Sequence, residues 1–195
     1  MSSENIETRT RILEATVRVM EKSGGRGVRM GDIAKESKIS RQAVYLHFSS
    51  RTELLIAATL YRGDLLDVEG RLAPSRAAAT GVDRLRLYIE FWGNFVPEIY
   101  GVAKPLMMAQ ETDEAAAAAW RDRMWAMRDG CRAAIDALQA DGTLAPEWTR
   151  PKAIDALWTM LLVPNWEHLT IECGWSTKQY IRWMQTLARR TFVDE

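Results

Sequence analysis

The stretch IAKESKISRQAVYLHFSSRTELL, residues 33–55, predicts two short helices separated by a tight turn, with a third helix directly after them. Ser40 is a good N-cap for a helix that ends near Phe48. Ser50 and Glu53 have the spacing of a capping box, which predicts that a longer helix begins there. Two helices joined by such a turn form the helix-turn-helix pattern.

The second short helix has one face suited to packing and an opposite face suited to solvent. At about 100° per residue, Val44 and Phe48 lie together on one side, which we expect to be buried. Opposite them lies an outer ridge with hydrogen-bonding side chains on both shoulders: Gln42, Ala43 and Leu46 on the ridge, Tyr45 and His47 on the shoulders. A helix in the major groove of DNA needs this arrangement, because base-reading side chains lie on the outward ridge and phosphates line both edges.

Each side chain of this outer ridge has a chemical reason to contact DNA. Gln42 can pair with N6 and N7 of adenine, while Leu46 and Ala43 can contact thymine methyl groups. Arg41, near the start of the helix, can reach a guanine or a phosphate. Arg51 and the amides at the start of the following helix offer a further phosphate site. The sequence therefore predicts double-stranded DNA as a partner.

Residues 33–55 resemble the signature of the TetR family of bacterial transcriptional regulators. The positions that match this signature are Ile33, Ala34, Ile39, Ser40, Val44, Tyr45, His47, Phe48, Arg51, Leu54 and Leu55. The resemblance covers residues 8–60, and beyond them the chain is similar to the family in length and helical pattern. It implies a DNA-binding head, a larger half that binds an effector and forms the dimer, and repression as the commoner mode.

Three positions depart from the family's usual pattern. Lys38 stands in the turn where the family usually has Gly, and a left-handed Lys costs roughly 1–2 kcal/mol there. The first short helix is preceded by Val28 and Arg29 rather than by Ser or Thr, which predicts a weaker cap and an added positive charge at Arg29. Gly31 stands where the family commonly has a longer side chain.

The whole chain predicts an all-α fold, because helical spacing recurs and no convincing strand pattern is found. We predict an N-terminal three-helix head joined by a continuous fourth helix, over about 50–70, to a larger helical bundle for ligand binding and dimerisation. The predicted domains are a DNA-binding domain at 1–50 and an effector-binding and dimerisation domain at 51–195. The other predicted segments are helices near 5–22, 30–37, 85–96, 98–109, 113–140, 151–173 and 177–192, with a loop over 71–82 and kinks at Pro105 and Pro164.

The charge distribution separates the two halves. The net charge of the 195 residues is zero, but residues 1–51 contain 10 Lys and Arg against 6 Asp and Glu, and the remainder contains 16 against 20. A basic arm on a weakly acidic body suits a protein that presents one end to phosphates. The N-terminus lacks an apolar signal core, and Cys131 and Cys173 have no metal-binding spacing. We therefore expect a cytoplasmic protein with reduced thiols and without a cofactor, a metal or a membrane partner.

The larger half offers many bulky apolar side chains for an effector pocket. The chain has 8 Trp and 9 Met, and such side chains line adaptable apolar cavities. The candidates for ligand contact are Trp92, Phe95, Met107, Met108, Met124, Met127, Trp158, Leu162 and Trp166. As a group they predict a small, largely apolar or aromatic effector, although ordinary core packing is the simpler role for any single one.

The last two predicted helices carry more apolar surface than one helix pair can bury. A four-helix interface between two subunits would cover it, and core packing within one chain is the alternative. The candidate interface residues are Leu161, Leu169, Tyr180, Trp183, Met184, Leu187 and Thr191. A twofold homodimer would place two recognition helices about 34–36 Å apart, which predicts a palindromic operator.

We expect a ligand in the larger half to displace the fourth helix and change the spacing of the two heads. A helical protein-interaction module without DNA binding stays open as an alternative, and it would lack salt-dependent affinity for duplex DNA. An enzyme is disfavoured, because the sequence has only two His and no HExxH, GxSxG or phosphate-loop motif. Activation and co-repression also stay open beside repression.

Overall fold

The computed structural model describes residues 3–24 and 27–194, and the regular structure of these residues is helical apart from one isolated β-bridge between Leu144 and Val193. The prediction of an all-α fold is confirmed. In chain order the helices are α1 (Ser3–Lys22), α2 (Met30–Ser37), α3 (Arg41–His47), α4 (Arg51–Leu65), α5 (Val68–Arg76), α6 (Gly81–Ala109), α7 (Glu114–Ala140), α8 (Arg150–Leu161), α9 (Val163–Glu167) and α10 (Thr177–Phe192), with a π-helical turn at His168–Glu172. The bounds predicted for α2 and α10 are confirmed.

Two compact units share the chain. Unit 1 contains residues up to 67 together with 98–122, and unit 2 contains 68–97 together with the residues from 123 onwards. Helices α6 and α7 each supply one part to unit 1 and the other part to unit 2. The predicted division into domains at 1–50 and 51–195 concerns function, and it stays a prediction.

Unit 1 has an apolar core to which each of its first four helices contributes. α1 packs against α2 and α4, and α2 packs against α3. The residues of this core include Ile12, Met20, Ile33, Val44, Phe48, Leu54, Leu55 and, from α6, Val102. Because these side chains are removed from water, the short helices α2 and α3 are stabilised by packing rather than by their length.

Helix α4 ends at Leu65, short of the predicted end near residue 70. The amide of Leu66 donates to the carbonyl of Gly63 at 3.1 Å, and Asp67 has a φ of 45°. A left-handed residue cannot continue a right-handed helix, so α5 begins separately at Val68. The prediction of a continuous fourth helix that joins the two halves is therefore wrong.

Helix α5 occupies part of the segment that was predicted as a loop. It continues to Arg76 and has Pro74 in its interior. An ion pair joins Arg76 to Glu69, and the hydroxyl of Ser75 donates to the carbonyl of Arg84 at 3.0 Å. These contacts favour helix where Pro and the small residues indicated a loop.

Helix α6 is one helix of 29 residues where two were predicted. Neither Pro97 nor Pro105 interrupts it, although a proline in a helix interior costs about 3 kcal/mol. The face that α6 buries continues on both sides of Pro97, with Val96 before it and Val102 after it. Burial of this face offsets the lost hydrogen bond.

The predicted helix over 151–173 is divided by a break rather than a kink. Leu162, with ψ of 141°, separates α8 from α9, and Pro164 lies in the first turn of α9. Pro164 has no amide to donate to the end of α8. The side-chain amide of Asn165 donates instead to the carbonyl of Thr159 at 2.6 Å, which caps α8.

Close approaches between helices define the packing of unit 2. A Cβ atom added at Gly93 would lie 2.4 Å from Cγ1 of Ile181, so α6 and α10 meet at a position where only glycine fits. A Cβ at Gly130 would lie 2.4 Å from the hydroxyl of Tyr88, which donates to the carbonyl of Met127 at 2.8 Å. These contacts fix α6 against α7 and α10.

Candidate nucleic-acid interface

The turn between α2 and α3 depends on a lysine in a left-handed conformation. Lys38 has φ 58° and ψ 39°, at the position where the sequence departs from the usual Gly. The amide of Ile39 donates to the carbonyl of Ala34 at 3.1 Å, which closes α2. The hydroxyl of Ser40 accepts from the amide of Ala43 at 3.0 Å and caps α3, as predicted. The helix-turn-helix geometry is thus retained at a conformational cost.

Helix α3 is anchored on one side and open on the other. Val44 and Phe48 are fully buried, so the predicted packed face is confirmed. On the opposite side Leu46 is 82% exposed and Tyr45 is 40% exposed. The rest of the outer ridge and its shoulders is exposed or half-buried: Arg41 and Gln42 are exposed, Ala43 and His47 half-buried. A fully accessible leucine adds little to folding, so its side chain is available to a partner.

Two arginines lie close to aromatic rings of α3 and its C-cap. The guanidinium of Arg41 lies 5.7 Å from the centre of the Tyr45 ring. The guanidinium of Arg9, which belongs to α1, lies 4.7 Å from the centre of the Phe48 ring. Such cation–π contacts position a guanidinium while its N–H groups stay able to bind phosphate. Arg9 was not among the predicted DNA contacts, because sequence periodicity cannot show which end of α1 approaches α3.

The start of α2 has the features that the sequence predicted for it. Arg29 is the N-cap residue, is exposed, and makes no capping hydrogen bond with its side chain. Nothing lies within 4 Å of a Cβ atom built at Gly31, so a longer side chain would fit there. The positive charge of Arg29 therefore lies on the surface of unit 1, at the start of the helix-turn-helix.

The first turn of α4 holds both ends of the helix-turn-helix. The guanidinium Nε of Arg51 donates to the carbonyl of Val28, just before α2, at 2.9 Å. The amide and hydroxyl of Ser49, just after α3, donate to the carboxylate of Glu53 at 2.8 and 2.7 Å. Arg51 was predicted to bind phosphate, and its Nε is committed to this internal contact.

The predicted capping box at the start of α4 is only half present. The hydroxyl of Ser50 accepts from the amide of Glu53 at 3.0 Å, as predicted. The carboxylate of Glu53 returns to Ser49 rather than to Ser50. The side-chain hydrogen bond from Ser49 lowers the pKa of the Glu53 carboxyl, which keeps it ionised and able to accept both bonds.

Comparison with known proteins matches the N-terminal region of the chain to a family of regulators. Residues 12–58, which contain the helix-turn-helix described above, match the family model for bacterial regulatory proteins of the tetR family. This part of the chain therefore has the sequence of a TetR-family helix-turn-helix region. It is also 31% identical over 70 residues to the HTH-type transcriptional repressor KstR of Rhodococcus jostii (strain RHA1), a match that spans 36% of this chain and only 33% of that protein.

Solved structures share the fold of this chain over nearly its whole length. A proposed transcriptional regulator from Saccharomonospora viridis in complex with choline is 20% identical, with 97% of this chain and 99% of that chain covered and a TM-score of 0.81. FadR from Bacillus subtilis in complex with stearoyl-CoA is 13% identical, with 93% and 98% covered and a TM-score of 0.73. At identities this low the comparison indicates a common fold, and it does not carry the ligand of one chain over to another.

Beyond the helix-turn-helix, aromatic side chains run along the first part of α6. The rings of Phe91 and Phe95 are stacked with centres 5.3 Å apart, and the ring of Trp92 lies 6.0 Å from that of Phe95. The guanidinium of Arg71 lies 6.0 and 5.8 Å from the centres of Phe91 and Phe95. Trp92 is buried, and its indole N–H donates to the carbonyl of Leu161 at 2.6 Å. The structure therefore brings together two of the predicted ligand contacts, Trp92 and Phe95.

A second aromatic pair joins α7 and α8 in unit 2. The rings of Trp125 and Trp158 are stacked with centres 6.0 Å apart. The guanidinium of Arg128 lies 5.1 and 5.7 Å from these two rings and pairs with Asp155 at 2.6 Å. The indole nitrogen of Trp158 is buried without a hydrogen-bond partner. Trp158 was a predicted ligand contact, whereas Trp125 and Arg128 were missed because nothing in their spacing marks them.

The other predicted ligand contacts are distributed over both units. Met107 and Met108 belong to unit 1, and Met124, Met127, Leu162 and Trp166 belong to unit 2. Met127 and Trp166 are buried, and Met108 is 54% exposed. Met107, Met124 and Leu162 are half-buried. A role of these residues in ligand contact stays a prediction.

The predicted dimer contacts divide into a buried set and an accessible set. Leu161, Tyr180 and Met184 are buried within the chain itself, so they have almost no surface to offer a second subunit. Burial raises the pKa of the Tyr180 hydroxyl well above its usual range. Trp183 is 47% exposed, and the half-buried residues are Leu169, Leu187 and Thr191. The predicted interface is therefore reduced to the accessible side of α10 and to Leu169 in the π-helical turn before it.

A surface groove lies on this accessible side of α10. Its volume is about 290 Å³, and it is lined by Trp175, Gln179, Arg182, Trp183 and Thr186. The rings of Trp175 and Trp183 meet edge to face with centres 6.0 Å apart. Trp175 was missed because it lies in the connection before α10, where no helical periodicity applies.

The described part of the chain contains neither a membrane-spanning helix nor a group of side chains that could hold a metal ion. Among the helices of residues 3–24 and 27–194, none is long and apolar enough to cross a membrane. Over the same residues, no group of three or more His, Cys, Asp or Glu is placed to hold a metal ion. Cys131 is buried and Cys173 is exposed, and both are free thiols.

Proposed function

We propose that this chain is a ligand-responsive regulator that binds a palindromic operator as a homodimer, most simply as a repressor released by a small, largely apolar effector. The observation that carries the proposal is the outer ridge of α3, where Leu46 and Tyr45 are exposed while Val44 and Phe48 hold the helix from behind. An α-helix fits the major groove, and this ridge presents base-reading side chains to it.

The proposed DNA contacts divide into residues that contact bases and residues that contact phosphates. Gln42 is proposed to pair with adenine, and Ala43 and Leu46 to contact thymine methyl groups. The proposed phosphate contacts are Arg29, Arg41, Tyr45, His47, Arg51 and, added by the structure, Arg9. Base contacts set specificity, whereas phosphate contacts set register and most of the salt dependence.

The proposed dimer forms through the accessible side of α10. Trp183 and Trp175 supply the large apolar surface, and Leu169, Leu187 and Thr191 are the accessible members of the predicted interface. A second copy would cover the exposed Trp183 and the accessible part of the half-buried Trp175, which removes apolar surface from water on both subunits. A twofold dimer would present two α3 helices to half-sites about 34–36 Å apart.

The effector is proposed to bind unit 2, where aromatic rings are dense. Trp92, Phe95 and Trp158 stand in ring contacts that an apolar or aromatic ligand could extend. We propose that its effect reaches unit 1 through α6 and α7, because each of these helices supplies residues to both units, whereas α4 ends within unit 1. Choline and stearoyl-CoA, the ligands of two fold relatives, are natural first probes of binding.

Selection of bound duplexes from a random DNA pool tests the proposal. We expect enrichment of a palindrome with half-sites about one helical turn apart, and an affinity that falls steeply with salt. If no duplex is enriched and affinity does not depend on salt, the chain is better described as a protein-interaction module. Operator binding in the presence and absence of choline or stearoyl-CoA then tests release.

A further inference from the structure

A hydrogen bond joins the first turn of α4 to the connection between α6 and α7. The hydroxyl of Thr52 donates to Oδ2 of Asp113 at 2.5 Å, and 61 residues separate the two in sequence. Both residues are half-buried and both belong to unit 1. Neither was singled out by the sequence, because a contact between residues so far apart leaves no local pattern.

Asp113 has a second role that restricts its movement. Its other carboxylate oxygen, Oδ1, accepts from the amide of Ala116 at 3.1 Å and caps the start of α7. The hydrogen bond from Thr52 lowers the pKa of the Asp113 carboxyl, which therefore stays ionised near neutral pH. One carboxylate thus binds the start of α7 with one oxygen and the start of α4 with the other.

Thr52 lies between the two residues that hold the helix-turn-helix. Arg51 binds the carbonyl of Val28 before α2, and Glu53 binds Ser49 after α3. Three consecutive residues of α4 therefore contact the start of α2, the connection between α6 and α7, and the end of α3. A displacement of this turn would act on both helices of the helix-turn-helix together.

The end of α6 is also fixed to the neighbouring helices of unit 1. A Cβ atom at Gly101 would lie 3.0 Å from Cα of Glu21, so the backbones of α6 and α1 are close. The hydroxyl of Thr59 donates to the carbonyl of Leu55 within α4 at 2.8 Å, and it also lies 3.3 Å from the carbonyl of Val102 in α6. These contacts hold α6 further along α4, away from the turn that binds α3.

We propose that Thr52 and Asp113 are positioning residues for DNA recognition, and that their hydrogen bond sets the orientation in which α3 presents its outer ridge. This proposal rests on the proposed function of that ridge. Through Asp113, the connection between α6 and α7 influences how α3 is oriented for DNA, although the connection itself does not contact DNA. A shift at this connection changes operator affinity by releasing the first turn of α4.

The test compares three variants of the full chain. Thr52→Val removes the hydroxyl that donates to Asp113 and keeps the shape of the side chain. Thr52→Ser keeps the hydroxyl. Thr59→Val makes the same chemical change two turns along α4, where the hydroxyl contacts the carbonyls of Leu55 and Val102 and not the turn beside α3. Amide hydrogen exchange over residues 41–48 is measured by mass spectrometry, with residues 81–97 of unit 2 as an internal reference.

We expect Thr52→Val to raise exchange in residues 41–48 several-fold, while Thr52→Ser and Thr59→Val stay close to the wild type. On a duplex selected by the wild type, Thr52→Val should lose affinity about threefold or more and Thr52→Ser should restore it. Unchanged exchange in Thr52→Val, or an equal rise in Thr59→Val, overturns the proposal. Failure of the wild type to select any duplex contradicts the proposed function instead, and the exchange result still decides the role of the bond.

Discussion

The guanidinium of Arg9 lies 4.7 Å from the centre of the fully buried Phe48 ring, so α1 brings a positive charge to the end of α3. Phe48 anchors α3 in the core of unit 1, and its ring also positions the guanidinium of Arg9. The surface proposed to face DNA therefore includes a residue of α1.

Replacing Arg9 by alanine should weaken binding to duplex DNA of any sequence, because its proposed contact is to phosphate. The slope of log affinity against log salt should become shallower by about 1. Arg18→Ala is the matched control, since Arg18 lies on the same helix and pairs with Glu36 at 3.0 Å. Equal losses in the two variants would show that the general charge of α1, rather than Arg9, is responsible.

Lys38→Gly should stabilise the protein. The left-handed φ of 58° is strained for lysine and easily adopted by glycine, so we expect the free energy of unfolding to rise by about 1 kcal/mol. Lys35→Gly, in the interior of α2, should lower it by about 1 kcal/mol. Denaturant titration of both variants measures the difference, and a destabilised Lys38→Gly would mean that the lysine side chain makes a compensating contact.

Leu46→Ala should change operator preference without changing stability. Leu46 is 82% exposed, so its removal leaves the core intact and alters recognition of a thymine. Val44→Ala, two residues away, removes a fully buried side chain and should lower the free energy of unfolding by about 2 kcal/mol. Thermal unfolding and repeated duplex selection separate the two effects, and an unchanged enriched sequence for Leu46→Ala would remove it from the base readers.

If the chain forms the proposed dimer, Trp183→Glu should convert it into a monomer that keeps its helical content. A charge in the proposed interface meets a desolvation cost that a free surface does not impose. Trp125→Glu is the control, because Trp125 is 48% exposed and Trp183 is 47% exposed. Sedimentation analysis distinguishes the outcomes. If both variants remain dimers, the accessible side of α10 is not the interface.

The two cysteines should differ sharply in reactivity. Burial raises the pKa of the Cys131 thiol to about 12, so the thiol stays protonated near neutral pH. Cys173 is exposed. At about pH 8, a thiol reagent should modify one cysteine in the native protein and both after denaturation. Labelling of Cys131 in the native protein would indicate that unit 2 opens around it.

The sequence predicts the helix-turn-helix better than the rest because its signals are local. Ser40 caps α3, Val44 and Phe48 recur at helical spacing, and the structure follows both patterns. Lys38 shows the limit of such signals: its left-handed φ could be anticipated only as a cost, and packing of α2 against α3 outweighs it. Local propensity thus agrees with tertiary structure where each helix is short and bounded by turns.

The larger half departs from prediction where tertiary contacts override local signals. Pro97 indicated a helix end, but burial on both sides of it keeps α6 continuous. Asp67 carries no strong sequence mark, and its left-handed φ ends the fourth helix early. Tyr180 lies on the apolar face of α10 together with the other predicted dimer contacts. Only the helices packed against it show that it is buried within the chain. Periodicity reveals that a face is apolar and leaves open what covers it.

In α3, the residues that pack in the core differ from those proposed to contact bases, and this difference affects how the protein can evolve. Because the fold does not draw on the side chain at Leu46, a descendant could acquire a new target by altering that position without first passing through an unstable intermediate. The same freedom makes it the natural starting point for redirecting the protein to a chosen DNA site in the laboratory.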